Sequence, residues 1–265
     1  MKLGELPPAH VQKLHATMQA QGRARNTVQR AHRVLHNALN RALAWGYIQR
    51  NVCTVVHPPT PERNKLRTLT PEQVKALLSA ARGGRWDALL SLAIATGMRK
   101  GELLGLKWED VDLETGVLRV QRQLGRDGIF SEPKTRLARR GIHLPRSTVA
   151  VLREHGLRQV EEKRSVGADW VAAGLVFCTH QGKPLQARNV VREFKNLLGR
   201  TGLPEIRFHD LRHTAATLML LQGVPAKVVQ GRLGHSQISL TMDTYSHLLP
   251  SMDREAAESL DLLLR

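Results

Sequence analysis

The sequence predicts a mainly α-helical chain with a small antiparallel β-sheet, arranged as a short helical region followed by a larger mixed α+β domain. Three observations carry that expectation. Apolar residues recur at spacings of three, four and seven in several separate stretches, the period of one helix face. Two short stretches, 117–123 and 141–144, read as strands lying on either side of Gly125 and the Asp127-Gly128 turn signal. Between the two regions, Pro58, Pro59 and Pro61 stop any helix and stiffen the segment before a run of charged residues.

The elements follow in order. Asn26 is placed to cap a helix over 27–45, with Val28, Leu35, Leu39, Ala42 and Leu43 on one face. Tyr47, just beyond, reads as packing at the end of this region. Residues 58–68 form a linker, dividing the chain into 1–57 and 69–265. Thr70-Pro71-Glu72-Gln73 is a helix start: a capping threonine, proline in the first turn and glutamine three residues on. That helix runs to about residue 82, and a second over 86–96 stops at Gly97. Further helices are expected over 147–163, 187–200, 209–222, 225–233 and 251–263.

Composition narrows the functional classes. The hydrophobic share of 42% supports a core, and an aromatic share of only 4% leaves Leu, Val and Ala to fill it. A net charge of +17 implies a polyanionic partner, most often nucleic acid. The charge is concentrated early: Glu5 is the only acid before the linker, against Arg23, Arg25, Arg30, Arg33 and Arg41, the candidate DNA-binding residues. Two distant cysteines, Cys53 and Cys178, make neither a CxxC motif nor a disulfide framework, which fits a reducing compartment. The opening MKLGELPPAH has no apolar signal core, and no apolar run approaches the roughly 18 residues a bilayer span needs. The expectation is a cytoplasmic protein with no membrane partner.

The densest chemistry lies between Arg207 and His247. His209 shares a helix face with both Arg212 and His213, being three and four residues away. Two chemistries compete for this segment. His209-Asp210-Leu211-Arg212-His213 resembles a zinc-binding HExxH with aspartate for glutamate, but Arg212 would bring a cation beside the metal. Alternatively the cluster serves phosphoryl transfer. A phosphodiester under attack becomes a crowded dianion, which the planar, permanently charged arginine fork suits. A phenol needs a base or a positive field, and the departing alkoxide needs an acid. Two arginines, histidines, a lysine and Tyr245 could fill these roles without metal.

The arrangement resembles the tyrosine recombinase (phage integrase) family over nearly the whole chain. Ala95-Thr96-Gly97-Met98-Arg99-Lys100-Gly101-Glu102-Leu103, continued by Leu106-Lys107-Trp108 and Asp112, resembles the family's first arginine box. Glu132-Pro133-Lys134-Thr135 resembles its lysine hairpin, and His209 to His213 its HxxR box. Leu233-Gly234-His235-Ser236 resembles its second histidine box, and Thr244-Tyr245 falls where the nucleophile belongs. Five boxes in one order make the resemblance specific.

The resemblance implies a helical core-type DNA-binding domain, shortened at its start, joined to a tyrosine-recombinase catalytic domain. It implies a site-specific integrase that cleaves and rejoins strands through a 3′-phosphotyrosine, with no cofactor and no metal. Tyr245 would attack, Arg99 and Arg212 would clamp the non-bridging oxygens, and His235 would add a hydrogen bond to them. His209 would assist proton transfer at the tyrosine, Lys134 would protonate the leaving oxygen, and Glu102 would orient the site. The implied partners are double-stranded DNA and an accessory directionality factor. The implied assembly is a homotetramer on two duplexes, its C-terminal helices docked in trans. Two rivals remain: a type IB topoisomerase-like enzyme that relaxes DNA, and a truncated DNA-binding protein without catalysis.

Overall fold

In a computed structural model the chain divides into two compact units, Met1–Lys65 and Leu66–Arg265. The structure describes residues 2–60, 67–133, 138–234 and residue 261.

The first unit pairs two helices, α1 (Pro8–Ala20) and α2 (Arg25–Ala44), closed by a 3-10 turn at Val52–Thr54. Its core is small: Val11, Leu39, Ala42, Ile48, Val52, Cys53 and Val56. Asn51 caps the 3-10 turn through Cys53 N–H (2.9 Å) and ties it to α2 by donating to the His36 carbonyl (3.0 Å). Three expectations are corrected here. α2 begins at Arg25 behind Ala24, so Asn26 lies inside the first turn rather than capping it. Leu43 is exposed, while Leu39 and Ala42 at the same end of α2 are buried. Tyr47 is 72% exposed and meets only Trp45 edge-on among the described aromatic rings.

The second unit holds the main core. Its helices begin with α3 (Pro71–Ala81), where Thr70 and Gln73 form the expected reciprocal cap (3.3 and 3.0 Å). α4 (Asp87–Thr96) is apolar nearly all round, and it packs against both α6 (Arg146–Val166) and α8 (Asp210–Leu221). Gly97 ends α4 in the left-handed conformation, as expected of a helix stop. The short α5 (Lys100–Leu104) follows at once.

The sheet is a three-stranded antiparallel meander in the order β1 (Val111–Asp112), β2 (Val117–Val120), β5 (Arg140–His143). Leu118 faces Ile142 in this register, and both are buried. The strand expected over 117–123 stops at Val120; Gln123–Leu124 instead forms β3 of a separate hairpin with β4 (Phe130–Ser131). That hairpin lies against α5. A Cβ on Gly101 or Gly105 would come within 3.0 Å of the β3 backbone, so glycine at both positions lets helix and strand touch. α7 (Ala187–Thr201) and α9 (Ala226–Leu233) complete the described helices of this unit. The expected terminal helix over 251–263 lies outside the described residues except for residue 261, which is helical.

Candidate active site

Three segments meet around Gly97. A methyl there would sit 2.5 Å from Leu233 Cδ2 of α9, 3.5 Å from Ala215 Cβ and 3.9 Å from Arg212 Cγ of α8. The absence of a side chain therefore brings the end of α4, the first turn of α8 and the last turn of α9 together. Arg212 is 3% exposed and donates from Nη1 to the Gly97 carbonyl (2.7 Å). Arg99 stands two residues beyond that carbonyl, at the cap of α5.

Arg99 is held by Glu102. Its backbone N–H donates to Glu102 Oε2 (2.9 Å) and its Nη1 to Oε1 (2.8 Å), while Nη2 reaches the Gly234 carbonyl (3.4 Å). The Arg99 side chain keeps 40% of its surface open; the Glu102 side chain is 2% exposed. Burial opposes ionisation of Glu102, but the Arg140 and Arg99 guanidiniums outweigh it and hold the carboxyl below its usual range. A buried anion thus anchors a half-open cation.

His209 occupies the cap position of α8 and remains open to solvent. The protein beneath it desolvates the ring, and the positive fields of Arg212, Arg207 and Arg99 add to this, so its pKa falls below the ordinary histidine value despite Asp210. These fields join His209 to both arginines of the expected clamp. His213, ring centroid 5.3 Å from that of His209 and edge-on to it, is pushed down to about 4, first by burial and then by His209. Both rings are neutral near neutral pH. Asp210 is buried: Arg207 donates to it from backbone N–H (2.8 Å) and from Nη2 (2.8 Å). With both its oxygens accepting from Arg207, Asp210 fixes the start of α8.

The structure thus brings together Arg99, Glu102, His209 and Arg212. Lys134, His235 and Tyr245 lie outside the described residues. Arg23, Arg25, Arg30, Arg33 and Arg41 are all exposed, on or just before α2 of the first unit. Among the described residues no helix is long and apolar enough to cross a membrane. Sequence reasoning misses Arg140, whose Nη2 lies 3.0 Å from Glu102 Oε2. A signal is present. On β5 Arg140 is in phase with buried Ile142, and a charge on the inward face of a strand needs a buried counterion.

The chain belongs to the phage integrase family, the tyrosine recombinases, enzymes that transfer DNA strands; the family profile matches residues 67–252. A tyrosine recombinase XerC-like protein of Caldanaerobacter subterraneus subsp. tengcongensis is 36% identical over 98% of this chain and 72% of its own length. Among solved structures, the Tn1549 transposon integrase in complex with transposon right end DNA superposes with a TM-score of 0.84 at 23% identity, over 98% of this chain and 87% of that one. A lambda integrase tetramer bound to a Holliday junction gives 0.64 at 22%, over 89% of this chain and 66% of that one. The fold class read from the sequence, mainly helical with a small antiparallel sheet, is the fold these integrases share.

Proposed function

We propose that the chain is a site-specific integrase that cuts and reseals DNA through a 3′-phosphotyrosine at Tyr245, without metal. One observation carries this reading: Arg99 and Arg212, 113 residues apart in sequence, are anchored around Gly97 with neutral His209 in the field of both. Two guanidiniums fixed in advance can take up the charge that grows on a phosphate's non-bridging oxygens, with little reorganisation at the moment of attack. A neutral imidazole in that field can accept a proton, which is what a phenol must lose to become a nucleophile. Lys134 and His235 take the roles their boxes imply, proton donor to the leaving oxygen and further hydrogen-bond donor.

In this reading residues 1–57 are the core-type DNA-binding domain, 58–68 the linker and 69–265 the catalytic domain. The five exposed arginines of the first unit contact phosphates of a duplex. In the same reading four chains assemble on two duplexes with the C-terminal helix docked in trans, a directionality factor acts on the assembly, and the setting is cytoplasmic; the lambda integrase tetramer bound to a Holliday junction supports the four-chain assembly alone.

The test is covalent capture. Protein is incubated with a pool of nicked duplexes of randomised sequence, and adducts that survive denaturation are recovered and sequenced. The expected result is an adduct on a recurrent sequence, formed equally in EDTA and abolished by Tyr245→Phe. An adduct that persists in the Phe variant overturns the nucleophile, and loss in EDTA that zinc restores overturns metal independence. Arg212→Ala is expected to slow capture on the order of 10²-fold or more. Relaxation of supercoiled plasmid with no strand exchange between two captured sites would favour the topoisomerase reading.

A further inference from the structure

Arg140 belongs to none of the five boxes, yet its guanidinium ties together three segments around the site. Its side chain is 7% exposed. Nη2 donates to Glu102 Oε2 (3.0 Å), Nη1 to the Ala138 carbonyl (2.9 Å), and Nε to the Arg232 carbonyl (2.5 Å). Each acceptor stands near a residue of the proposed chemistry. Glu102 holds Arg99. Ala138 follows Lys134 by four residues, and Arg232 precedes His235 by three. Arg232 is itself pinned, its Nη2 donating to the Ala95 and His143 carbonyls (both 3.1 Å).

Glu102 is therefore gripped from both sides: Oε1 by the Arg99 guanidinium, and Oε2 by Arg140 together with the Arg99 backbone N–H. Without Arg140, Oε2 keeps only the Arg99 backbone N–H, and a carboxylate that has lost its second guanidinium can shift together with the one it anchors. The three acceptors are met by three separate nitrogens of one planar fork; the three N–H groups of a lysine ammonium diverge from a single nitrogen and do not span them. Placement matters to rate, because misplacing a clamping group by about 1 Å can cost on the order of 10²-fold.

We infer that Arg140 is a positioning residue for strand cleavage: through Glu102 it sets the orientation of Arg99, and through two carbonyls it holds Ala138, just before β5, and the end of α9 in register with that arginine. The inference rests on the proposed strand-transfer function.

The experiment uses the full chain and a nicked duplex recovered by covalent capture, prepared with an ordinary scissile phosphate and with a neutral methylphosphonate in its place. Arg140→Lys keeps the charge beside Glu102 but not the three-way reach. It is expected to leave duplex affinity and the unfolding midpoint near those of the unaltered chain. Cleavage of the phosphate should slow on the order of 10- to 100-fold. On the methylphosphonate, where less charge needs clamping, the deficit should shrink to a few-fold. In an Arg99→Ala background the same change should add little, since residues that act through one another are not additive. If the lysine chain does not fold, Glu102→Gln with Arg140→Gln, which strands neither buried partner, is expected to show slow cleavage relieved on the methylphosphonate. Unaltered cleavage by the lysine chain, or an equal deficit on both substrates, overturns the role of Arg140 and leaves the strand-transfer function standing. No adduct from the unaltered chain on either substrate sinks both.

Discussion

Three arginines of the second unit are anchored by buried partners, whereas five of the first are turned outward. In residues 66–265, Arg140 and Arg212 are buried and aimed at carbonyl oxygens or Glu102, and Arg99 is anchored by that same carboxylate. In the first unit, Arg23, Arg25, Arg30, Arg33 and Arg41 stand in solvent over a core of seven buried apolar residues. The same side chain thus serves two ends. Held in place by buried partners, it is a preorganised charge of fixed direction; exposed on the surface, in the proposed function, it lends affinity that any run of phosphates can satisfy.

The contrast is broken most forcefully at Glu102. Glu102→Ala leaves the buried Arg140 guanidinium without its counterion, and removing one partner of a buried pair costs roughly 3–5 kcal/mol. Denaturant unfolding of the full chain should show that loss, with cleavage falling as Arg99 comes loose. A cost below about 1 kcal/mol, typical of an exposed pair, would mean the inward network is no more than surface chemistry.

Acid should probe the buried histidines next. His213 is held down to about 4, while an unfolded histidine titrates near 6.5. Burial lowers His155 and His15 as well, and His32 through burial and then its histidine neighbours. The unfolded chain therefore binds more protons than the folded chain below about 6.5. Stability should be fully present above that pH and decline as pH falls toward about 4. A thermal midpoint flat from pH 7 to about 4 would contradict this.

The smallest effect belongs to the outward set. Replacing Arg30 and Arg33 with glutamine should reduce the slope of log affinity against log salt by about 0.9 for each phosphate no longer neutralised, on captured and unrelated duplexes alike. The cleavage rate of bound DNA and the unfolding midpoint should hardly move. A change confined to one DNA sequence would show that these arginines read bases rather than phosphates.

Much of the fold is legible in the chain itself. Thr70 with Gln73 and the stop at Gly97 are local signals, and both act as local chemistry dictates. Arg99, Glu102, His209 and Arg212 stand out because their motifs are short and ordered. What stays hidden is decided by tertiary partners. Residues 8–20 lack a clean apolar stripe, because α1 buries His15 beside Val11, with His15 Nε2 3.3 Å from His32 Nδ1 of α2. The 117–123 strand reads too long because the break after Val120 comes from β3 leaving the sheet for α5, not from a turn residue. Arg140 escapes notice because its phase with buried Ile142 calls for a counterion without saying which, and Glu102 lies 38 residues earlier.

Gly97 has a consequence of its own. With Leu233 and Ala215 crowding the place a methyl would occupy, and with φ at +63°, the position admits no other residue without strain or displacement. Helices distant in sequence are wedged there as tightly as stones at the crown of an arch. The final turn of α9 cannot slide along α8 without disturbing the carbonyl on which Arg212 rests, so the end of α4, the start of α8 and the end of α9 behave as one mechanical part.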